Sequence, residues 1–475
     1  MKTIKNAIFF ILTVTSLLSC KENFLNEVND NSTLIRQDYV VNIKTTNEFL
    51  NGIYTIIGQN LGSIGTIYPE VAADNLKPAG TNPLVSLYNW QQQSDESSSS
   101  PIRVQTLNVN EISYSCYGII RSCNFVIEKA EQYKSQDAAL ASSILGQAYG
   151  IRAYMHLFAL NYFAQQYNFS ADGSQPGIPY IVGSNWTEKV EKRNTVKEVY
   201  QMAIEDLKRS VAFKITQVKP VYFNNIAALA LLSRAYLNIG EYQTAISFAR
   251  EVIILKPLMV TGSYPDGLFK GNDTETIFEA PPGQAINGFN PTFASYYFRS
   301  FISFQATSDI ADLLLEDAND KRKVWVKSSP TGGWDVVKFP VNVRPGLDFE
   351  SNSYYLPLIR SSEMHLIAAE CYANLNRADS SQFFIDQVRK RANPTAQTTT
   401  LTGLALLNII YKERRKEFAF EGFRLFDVLR WKKDVVRQDA VPGSPLKLTY
   451  PSDKAIAPIP GLDVKSLGLE QNKAY

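Results

Sequence analysis

The chain contains 475 residues, of which 48 are lysine or arginine and 46 are aspartate or glutamate, so its formal net charge is only +2. Because no basic block accompanies this balance, the electrostatic footprint of a nucleic-acid-binding protein is missing. The two histidines, His156 and His365, lie far apart, which excludes an HExxH zinc motif, and there is no P-loop, dinucleotide fingerprint or Gly-x-Ser-x-Gly elbow. The composition favours a globular protein that is not an enzyme.

The N-terminus has the three parts of a secretory signal. Lys2 and Lys5 precede a mostly apolar run over residues 7–18, and Cys20 follows shortly afterwards. The run is shorter than the roughly 20 residues that a helix needs to cross the hydrocarbon core of a membrane. It therefore predicts a signal peptide over residues 1–19 and not a membrane-spanning helix.

Residues 17–20, Leu-Leu-Ser-Cys, resemble a bacterial lipobox, in which the cysteine thiol is alkylated by diacylglycerol and cleavage leaves the cysteine first. Several acyl chains hold a protein on a membrane stably where one chain does not, so we expect Cys20 to be the membrane anchor. The polar stretch over residues 20–33 is then a flexible tether in front of a single domain over residues 34–475. A plain secretory signal with an incidental cysteine is the alternative interpretation.

A helical repeat is the clearest pattern in the rest of the chain. Residues 226–257 match the 34-residue TPR pattern of two antiparallel helices. Ser233 and Ala245 are small residues that let the two helices approach closely, and Gly240 supplies the turn between them. The pattern predicts a TPR unit at this position.

Three further helix pairs share features of this unit. Residues 361–394 repeat the same spacing of small and large side chains, and looser pairs are predicted over residues 142–212 and 401–431. More than a hundred residues separate the two clear units, so we expect an interrupted array of about eight scaffold helices that stack side by side. The fold class is therefore mostly α.

Two long segments interrupt this scaffold, over residues 61–101 and 261–349. Both are rich in Gly, Pro, Ser, Asn and aromatic residues and show little helical period. In the second segment, Gly332 and Gly333 separate two short runs that begin at Trp325 and Trp334, which predicts a small β-hairpin. Binding groups usually lie on such irregular loops of a rigid scaffold.

The region over residues 413–431 is dense in charge. Glu417, Glu421, Arg424 and Asp427 follow at spacings of three and four, which places them along one face if the region is a single helix. A catalytic role is one interpretation of these carboxylates. The other, which we favour, is that they pair with neighbouring cations while the interleaved phenylalanines supply packing surface.

This region, together with the helix pairs and the closing segment after residue 457, resembles the SusD/RagB family of Bacteroidetes outer-membrane lipoproteins. The resemblance spans nearly the whole chain after the signal peptide, although Lys473-Ala474 replaces the usual Pro-Gly before the final tyrosine. It implies a SusD-like fold on a TPR-like scaffold. It also implies an outer-membrane, cell-surface location. We expect no resident cofactor.

The resemblance implies a function as well. Members of the family capture glycans or other oligomeric nutrients and deliver them to a SusC-like TonB-dependent transporter. The alternative from another class is a TPR-type adaptor, or peptide-binding surface lipoprotein, whose loops never contact carbohydrate. The sequence does not identify the ligand, and it leaves open whether loop carboxylates hold a calcium ion.

Sugar recognition combines a flat aromatic face with flanking amide, carboxylate or guanidinium groups. The stretch from Ser86 to Gln93 has that chemistry, and Trp90 is its main candidate, against the plainer reading that its ring anchors the loop in the core. The predicted ligand-binding residues are Tyr68, Asp74, Asn75, Tyr88, Asn89 and Trp90 from the first insertion, and Tyr296, Tyr297, Arg299 and Trp334 from the second.

The remaining reactive side chains have structural interpretations. Apart from Cys20 there are three cysteines, an odd number that gives no disulfide framework, and Cys116 and Cys123 are about 10 Å apart along one predicted helix. We expect these cysteines to be buried apolar residues. We expect both histidines to be structural helix residues, and no metal site is predicted.

Overall fold

The computed structural model describes residues 36–61, 64–79, 85–94, 109–185, 190, 192–269, 273–280, 304–339 and 355–475. The chain divides into two compact units. The first spans Met1–Val41, and its described part contains the short helix α1 (Arg36–Tyr39). The second spans Asn42–Tyr475 and contains every element named below. Among the described residues, no helix combines the length and the apolar character needed to cross a bilayer.

The second unit begins with a long helix and continues through short elements. The short elements lie inside the first predicted insertion, which is therefore less irregular than the sequence indicates. The order is α2 (Ile43–Leu61), α3 (Ile64–Val71), β1 (Leu76–Pro78) and α4 (Val85–Tyr88).

Helix α6 is the most enclosed helix of the first scaffold range. It packs against α5 on one side and α7 on the other, so it is buried around most of its circumference. A Cβ atom at Gly150 would lie 2.0 Å from the ring of Phe223, so this position has room only for glycine. The Asp137 carboxylate accepts the Leu140 amide at 2.9 Å and caps the helix. The bounds are α5 (Val109–Tyr133), α6 (Ala138–Phe163) and α7 (Val196–Ala212).

Two helix pairs occupy the ranges of the two clear repeat units, and in each pair a serine hydroxyl joins the two helices. In the first pair, the Ser233 hydroxyl donates to the Ala245 carbonyl at 3.0 Å, and Gly240 makes the turn with φ of +82°. In the second, the Ser381 hydroxyl donates to the Ala369 carbonyl at 2.7 Å, and Asn376 takes the turn position with φ of +57°. The pairs are α8 (Asn225–Asn238) with α9 (Tyr242–Leu255), and α11 (Ser361–Asn374) with α12 (Ala378–Ala392).

The charged region over residues 413–431 is not one helix. Helix α13 (Gly403–Glu417) ends before Phe420 and Gly422, whose φ angles of +67° and +83° reverse the chain, and α14 (Arg424–Arg430) follows. A Cβ atom at Gly422 would lie 2.9 Å from the Thr66 backbone, so the turn packs directly on α3. The prediction that Glu417 to Asp427 share one helical face is therefore wrong. The three carboxylates still pair with arginines, and Arg424 pairs with Asp74.

Three small antiparallel sheets accompany the helices. The four-stranded sheet has the order β1-β3-β5-β4, and its β4–β5 hairpin turns at Gly332 and Gly333, as predicted. The two-stranded sheets pair β2 with β6 and β7 with β8. The remaining bounds are β2 (Thr276–Ala280), β3 (Phe304–Ala306), α10 (Ser308–Leu315), β4 (Val326–Ser328), β5 (Trp334–Val336), β6 (Leu356–Arg360), β7 (Val435–Val436), β8 (Lys447–Leu448) and α15 (Gly461–Leu467).

Helices α6 to α9 and α11 to α14 occupy the four predicted scaffold ranges, so the expectation of a mostly α fold with about eight scaffold helices is confirmed. The small sheets lie in or beside the long insertions. The scaffold therefore fixes the positions from which those insertions present their side chains.

Candidate functional site

Trp90, the main predicted ligand residue, lies in the core. Its side chain is 3% exposed, and its indole Nε1 donates to the Ala72 carbonyl at 2.8 Å. Tyr88 beside it is fully buried. Neither ring presents a face to a ligand in this structure, so the prediction of sugar stacking on Trp90 and Tyr88 is corrected to a role in anchoring the loop.

Arg437 explains why these rings are buried. Its guanidinium carbon lies 3.8 Å from the Tyr88 ring centroid and 4.0 Å from that of Trp90, so it contacts both aromatic systems. The guanidinium also donates to the carbonyls of Ala73 at 2.7 Å and Tyr88 at 2.6 Å, and Arg437 itself is 1% exposed. The loop is therefore folded around a cation that is contributed from the far end of the chain.

Asp74 and Asn75 are also engaged within the protein. Asp74 accepts from Arg424 Nε at 2.6 Å and Nη2 at 2.8 Å. Burial alone would raise the pKa of Asp74, but the guanidinium groups of Arg415 and Arg424 hold it well below its ordinary value. Asn75 donates to Glu70 at 2.7 Å and accepts from Arg415 at 2.8 Å. Both side chains are buried, so their predicted ligand contacts are corrected to structural ones.

Tyr68 is also buried and hydrogen-bonded within the protein. Its ring is buried and packs edge-on against Tyr162 with centroids 5.0 Å apart. Its hydroxyl exchanges hydrogen bonds with the Gln92 amide at 2.8 and 3.0 Å. The prediction of a second stacking face at Tyr68 is therefore corrected as well.

Two predicted residues keep partial access to solvent. Asn89 is half-buried, but its Oδ1 atom is buried and has no hydrogen-bond partner among the described residues. Trp334 is half-buried in β5, opposite Ala306 of β3 and Ser328 of β4. The Gln305 amide donates to the Gly332 carbonyl at 2.9 Å and fixes the turn before Trp334. Of the described candidates, Asn89 and Trp334 are the two whose exposure is compatible with ligand contact.

Four predicted residues lie outside the described residues, and their roles stay predictions. These are Cys20, Tyr296, Tyr297 and Arg299.

Glu70 is a buried residue that the sequence analysis did not single out. Its carboxylate accepts backbone N–H bonds from Gly422 at 2.8 Å and from Phe420 and Phe423 at 3.2 Å each. Burial raises the pKa of Glu70, and the hydrogen bonds partly oppose that shift. Glu70 therefore fastens the turn after α13 to α3. A lone glutamate in an apolar helix is a weak sequence signal, because three of its four donors are backbone groups from a distant turn.

Glu417, one of the carboxylates for which a catalytic role was considered, is surrounded by arginine side chains. It accepts from Arg391 at 2.6 Å, from Arg360 at 2.8 Å and from Arg322 at 3.3 Å. Tyr264 donates its hydroxyl to the same carboxylate at 3.0 Å. Burial alone would raise the pKa of Glu417, but Arg391 and Arg360 hold it well below its ordinary value. It is fully buried, and this arrangement confirms the ion-pairing interpretation of the charged region.

The two histidines and the three described cysteines have the predicted structural positions. His156 accepts the Ile181 amide at Nε2, 3.0 Å away, and stacks on Tyr180 with ring centroids 3.7 Å apart. Burial lowers the pKa of His156 to about 3, so the ring is neutral. The cysteines Cys116, Cys123 and Cys371 are free and buried. Within the described ranges no group of three or more His, Cys, Asp or Glu side chains could hold a metal ion.

An interior cleft lies between α6, α8 and the turn after α13. Phe158, Phe423 and Phe426 line it together with Arg234, but its volume is only about 90 Å³. Small-molecule pockets usually measure roughly 300–1,000 Å³, so this cleft is too small for a sugar chain.

The comparisons with known proteins agree with the fold. A family model described as the SusD family matches residues 315–457, and one described as starch-binding, associating with the outer membrane, matches residues 23–237. Among curated proteins, SusD-like protein P25 of Formosa agariphila is 21% identical over 495 aligned residues, covering 90% of each chain.

Solved structures give the same result. A SusD superfamily protein from Bacteroides thetaiotaomicron superposes with a TM-score of 0.80 and 24% identity, covering 91% of this chain and all of its own. A SusD-like carbohydrate binding protein from Bacteroides vulgatus superposes with a TM-score of 0.75 and 19% identity, covering 90% of this chain and 97% of its own. With two family models on separate parts of the chain and these folds across its length, the chain belongs to the SusD/RagB family.

Proposed function

We propose that this protein is a cell-surface glycan-binding lipoprotein that captures oligosaccharides and delivers them to a SusC-like TonB-dependent transporter. The observation that carries the proposal is the match of residues 23–237 to a family described as starch-binding and associated with the outer membrane. The carbohydrate-binding description of the Bacteroides vulgatus protein supports the same ligand class. Cys20 is the proposed lipid anchor, and it would hold the protein on the outer face of that membrane.

The proposed contact surface contains the half-buried residues of the two insertions. Trp334 is proposed to supply an aromatic face. It is the first residue of β5, an inner strand of the four-stranded sheet, and the hairpin turn before it is fixed by Gln305. Asn89 is the second half-buried residue proposed for this surface, although its Oδ1 atom is itself buried. Tyr296, Tyr297 and Arg299 are proposed to complete the surface. Aromatic rings are suited to the apolar C–H face of a pyranose, and the hydrogen-bonding groups are suited to its hydroxyls.

The first test is binding of residues 21–475 to an array of plant, microbial and host glycans. We expect selective binding that Trp334→Ala weakens by at least about tenfold, or about 1.4 kcal/mol of binding free energy. Trp334→Phe is the matched control, because it keeps a planar ring in the hairpin. A blank array with folded protein would favour the peptide-binding alternative.

Transport delivery needs a separate test. If the protein acts with a transporter, affinity capture from native membranes recovers a large β-barrel protein of the TonB-dependent class together with it. Recovery of other partners without such a barrel would contradict the delivery step while leaving glycan binding unaffected.

A further inference from the structure

A second hollow lies on the scaffold, away from the insertions. It has a volume of about 370 Å³ and is bounded by the start of α9, the end of α11, the middle of α13 and the turn that follows α14. The 3₁₀ turn Tyr167–Phe169 closes it on another side. This volume lies in the range of small-molecule pockets, unlike that of the interior cleft.

One wall of the hollow is a stacked aromatic pair. The rings of Tyr411 and Trp431 are nearly parallel, with centroids 4.0 Å apart and an angle of 24° between their planes. The guanidinium carbon of Arg430 lies 5.0 Å from the ring centroid of Trp431, and the ammonium nitrogen of Lys433 lies 4.7 Å from the ring centroid of Tyr411. The indole Nε1 of Trp431 also donates to Glu370 at 3.2 Å. These contacts hold the wall rigid before any ligand arrives.

The largely buried cation of this wall, Arg430, is already paired. Arg430 binds Glu370 through both terminal nitrogens, with Nη2 and Oε2 2.8 Å apart, and its Nε donates to Asp427 at 2.9 Å. A charged ligand would therefore find no buried unpaired countercharge on this wall, because the one guanidinium already faces two carboxylates. Lys432 and Lys433 beside it are exposed, and solvent and salt weaken their attraction for an anion.

The neutral groups of the hollow, in contrast, have unused hydrogen-bonding capacity. The Asn168 amide donates to the Arg430 carbonyl at 2.7 Å, but its Oδ1 atom is buried with no partner in the described part of the chain. The hydroxyls of Tyr242 and Tyr411 likewise form no hydrogen bond with another described residue, and both phenols line the hollow. Burial raises the pKa of both phenols, so they are protonated donors at neutral pH.

We propose that this hollow is a binding site for one or two units of a neutral oligosaccharide, separate from the surface that carries Trp334. A sugar offers hydroxyls that exchange hydrogen bonds with amide oxygens and phenols, and its size fits the volume. Uncharged sugars fit better than uronates, because the largely buried guanidinium of the wall is already paired and the neighbouring lysines are exposed to solvent. The inference rests on the proposed glycan-binding function and adds a second site to it.

Fluorine NMR distinguishes the two sites in one sample. The chain has five tryptophans, so labelling with 5-fluorotryptophan gives one resonance for each, and single Trp→Phe variants assign those of Trp431 and Trp334. The probes are maltotriose, cellotriose and mannotriose, with trigalacturonate as the charged comparison. We expect the Trp431 resonance to shift saturably with at least one neutral probe and to stay in place with the uronate.

A blocking variant tests whether the shift comes from ligand inside the hollow. Asn374 lines the hollow and bonds only its own helix, through the Glu370 carbonyl at 2.9 Å, so Asn374→Phe fills space without removing a tertiary hydrogen bond. We expect it to weaken the binding reported by Trp431 at least about tenfold. Leu375→Phe is the matched control, since Leu375 is adjacent and does not line the hollow. The control should bind normally.

Each outcome decides between the proposals. If a neutral probe moves Trp334 but not Trp431, or if Asn374→Phe leaves the Trp431 response intact, the hollow is not a sugar site and the proposed function stands. If the uronate shifts Trp431 while the neutral probes do not, the assignment to neutral sugars is overturned. If no probe moves either resonance and a glycan array is also blank, both proposals are wrong.

Discussion

Trp90 and Trp334 have similar neighbours in the sequence but differ in burial. Each lies in an irregular insertion beside polar residues, and each was predicted to stack on a ligand. Trp90 is enclosed, with Arg437 against its ring and its indole N–H bonded to a carbonyl, whereas Trp334 keeps part of its ring accessible at the end of a sheet. The difference shows that an aromatic residue in a polar loop is available for binding only if no distant cation has already covered it.

The largest expected effect comes from removing the cation that covers Trp90. Arg437→Ala would leave the carbonyls of Ala73 and Tyr88 without their donor and would open space beneath two rings. We expect a loss of about 5 kcal/mol of unfolding free energy, measured by urea unfolding. Arg437→Lys should lose less unfolding free energy than Arg437→Ala, because it keeps the positive charge. It should still be less stable than the wild type, because it lacks the planar guanidinium that donates to several carbonyls. Equal stability of all three proteins would contradict the role assigned to Arg437.

Trp90→Ala should have the next largest effect, and on stability alone. The ring is buried, so its removal should cost about 3 kcal/mol of unfolding free energy by loss of packing. Glycan affinity per folded molecule should stay unchanged. A drop in affinity without a drop in stability would restore Trp90 to the ligand surface.

Asp74→Asn should reduce stability in a pH-dependent way. The pKa of Asp74 is depressed in the folded protein, so between that pKa and 3.8, its unfolded value, the unfolded chain binds more protons. Its stabilising contribution is therefore present above about pH 4 and is lost as the pH falls below that value. We expect the variant to lose about 2 kcal/mol at pH 6 and less at pH 3, by urea unfolding at both values.

Asp379→Asn is the matched control for this experiment, because Asp379 is an exposed carboxyl on α12. It should change the slope of stability against pH much less than Asp74→Asn. Parallel slopes for the wild type and Asp74→Asn would mean that Asp74 is not paired as described.

Trp334→Ala should have the smallest effect on stability. Because the ring is only half-buried, we expect a loss of about 1 kcal/mol in the same unfolding assay, together with the loss of glycan affinity expected above. A loss as large as that of Trp90→Ala would remove the contrast between the two tryptophans and favour a purely structural role for both.

The parts of the fold that could be predicted are those with local causes. Gly240 and Ser233 lie within one helix pair, so their spacing contains the information for the turn and the close approach of the helices. The hairpin at Gly332 is equally local. The family resemblance added the overall architecture to these local features.

The candidate site could not be predicted in the same way, because its causes are distant in the chain. The burial of Trp90 depends on Arg437, and that of Asp74 depends on Arg424. The charged region was expected to be one helix because its spacing is helical, but the contact of Gly422 with α3 breaks it. The periodicity of a sequence reports local helical preference and gives no information about such tertiary contacts.

The bonds between Glu70 and the turn at Gly422 have a consequence for the order in which the protein folds. They join residues that are 352 positions apart, so helix α3 is not fastened to this turn until the last part of the chain is present. Contacts of this range form slowly, because the entropy of closing the loop is lost before the contact compensates for it. We therefore expect the nascent chain to reach its complete fold only when synthesis is nearly finished.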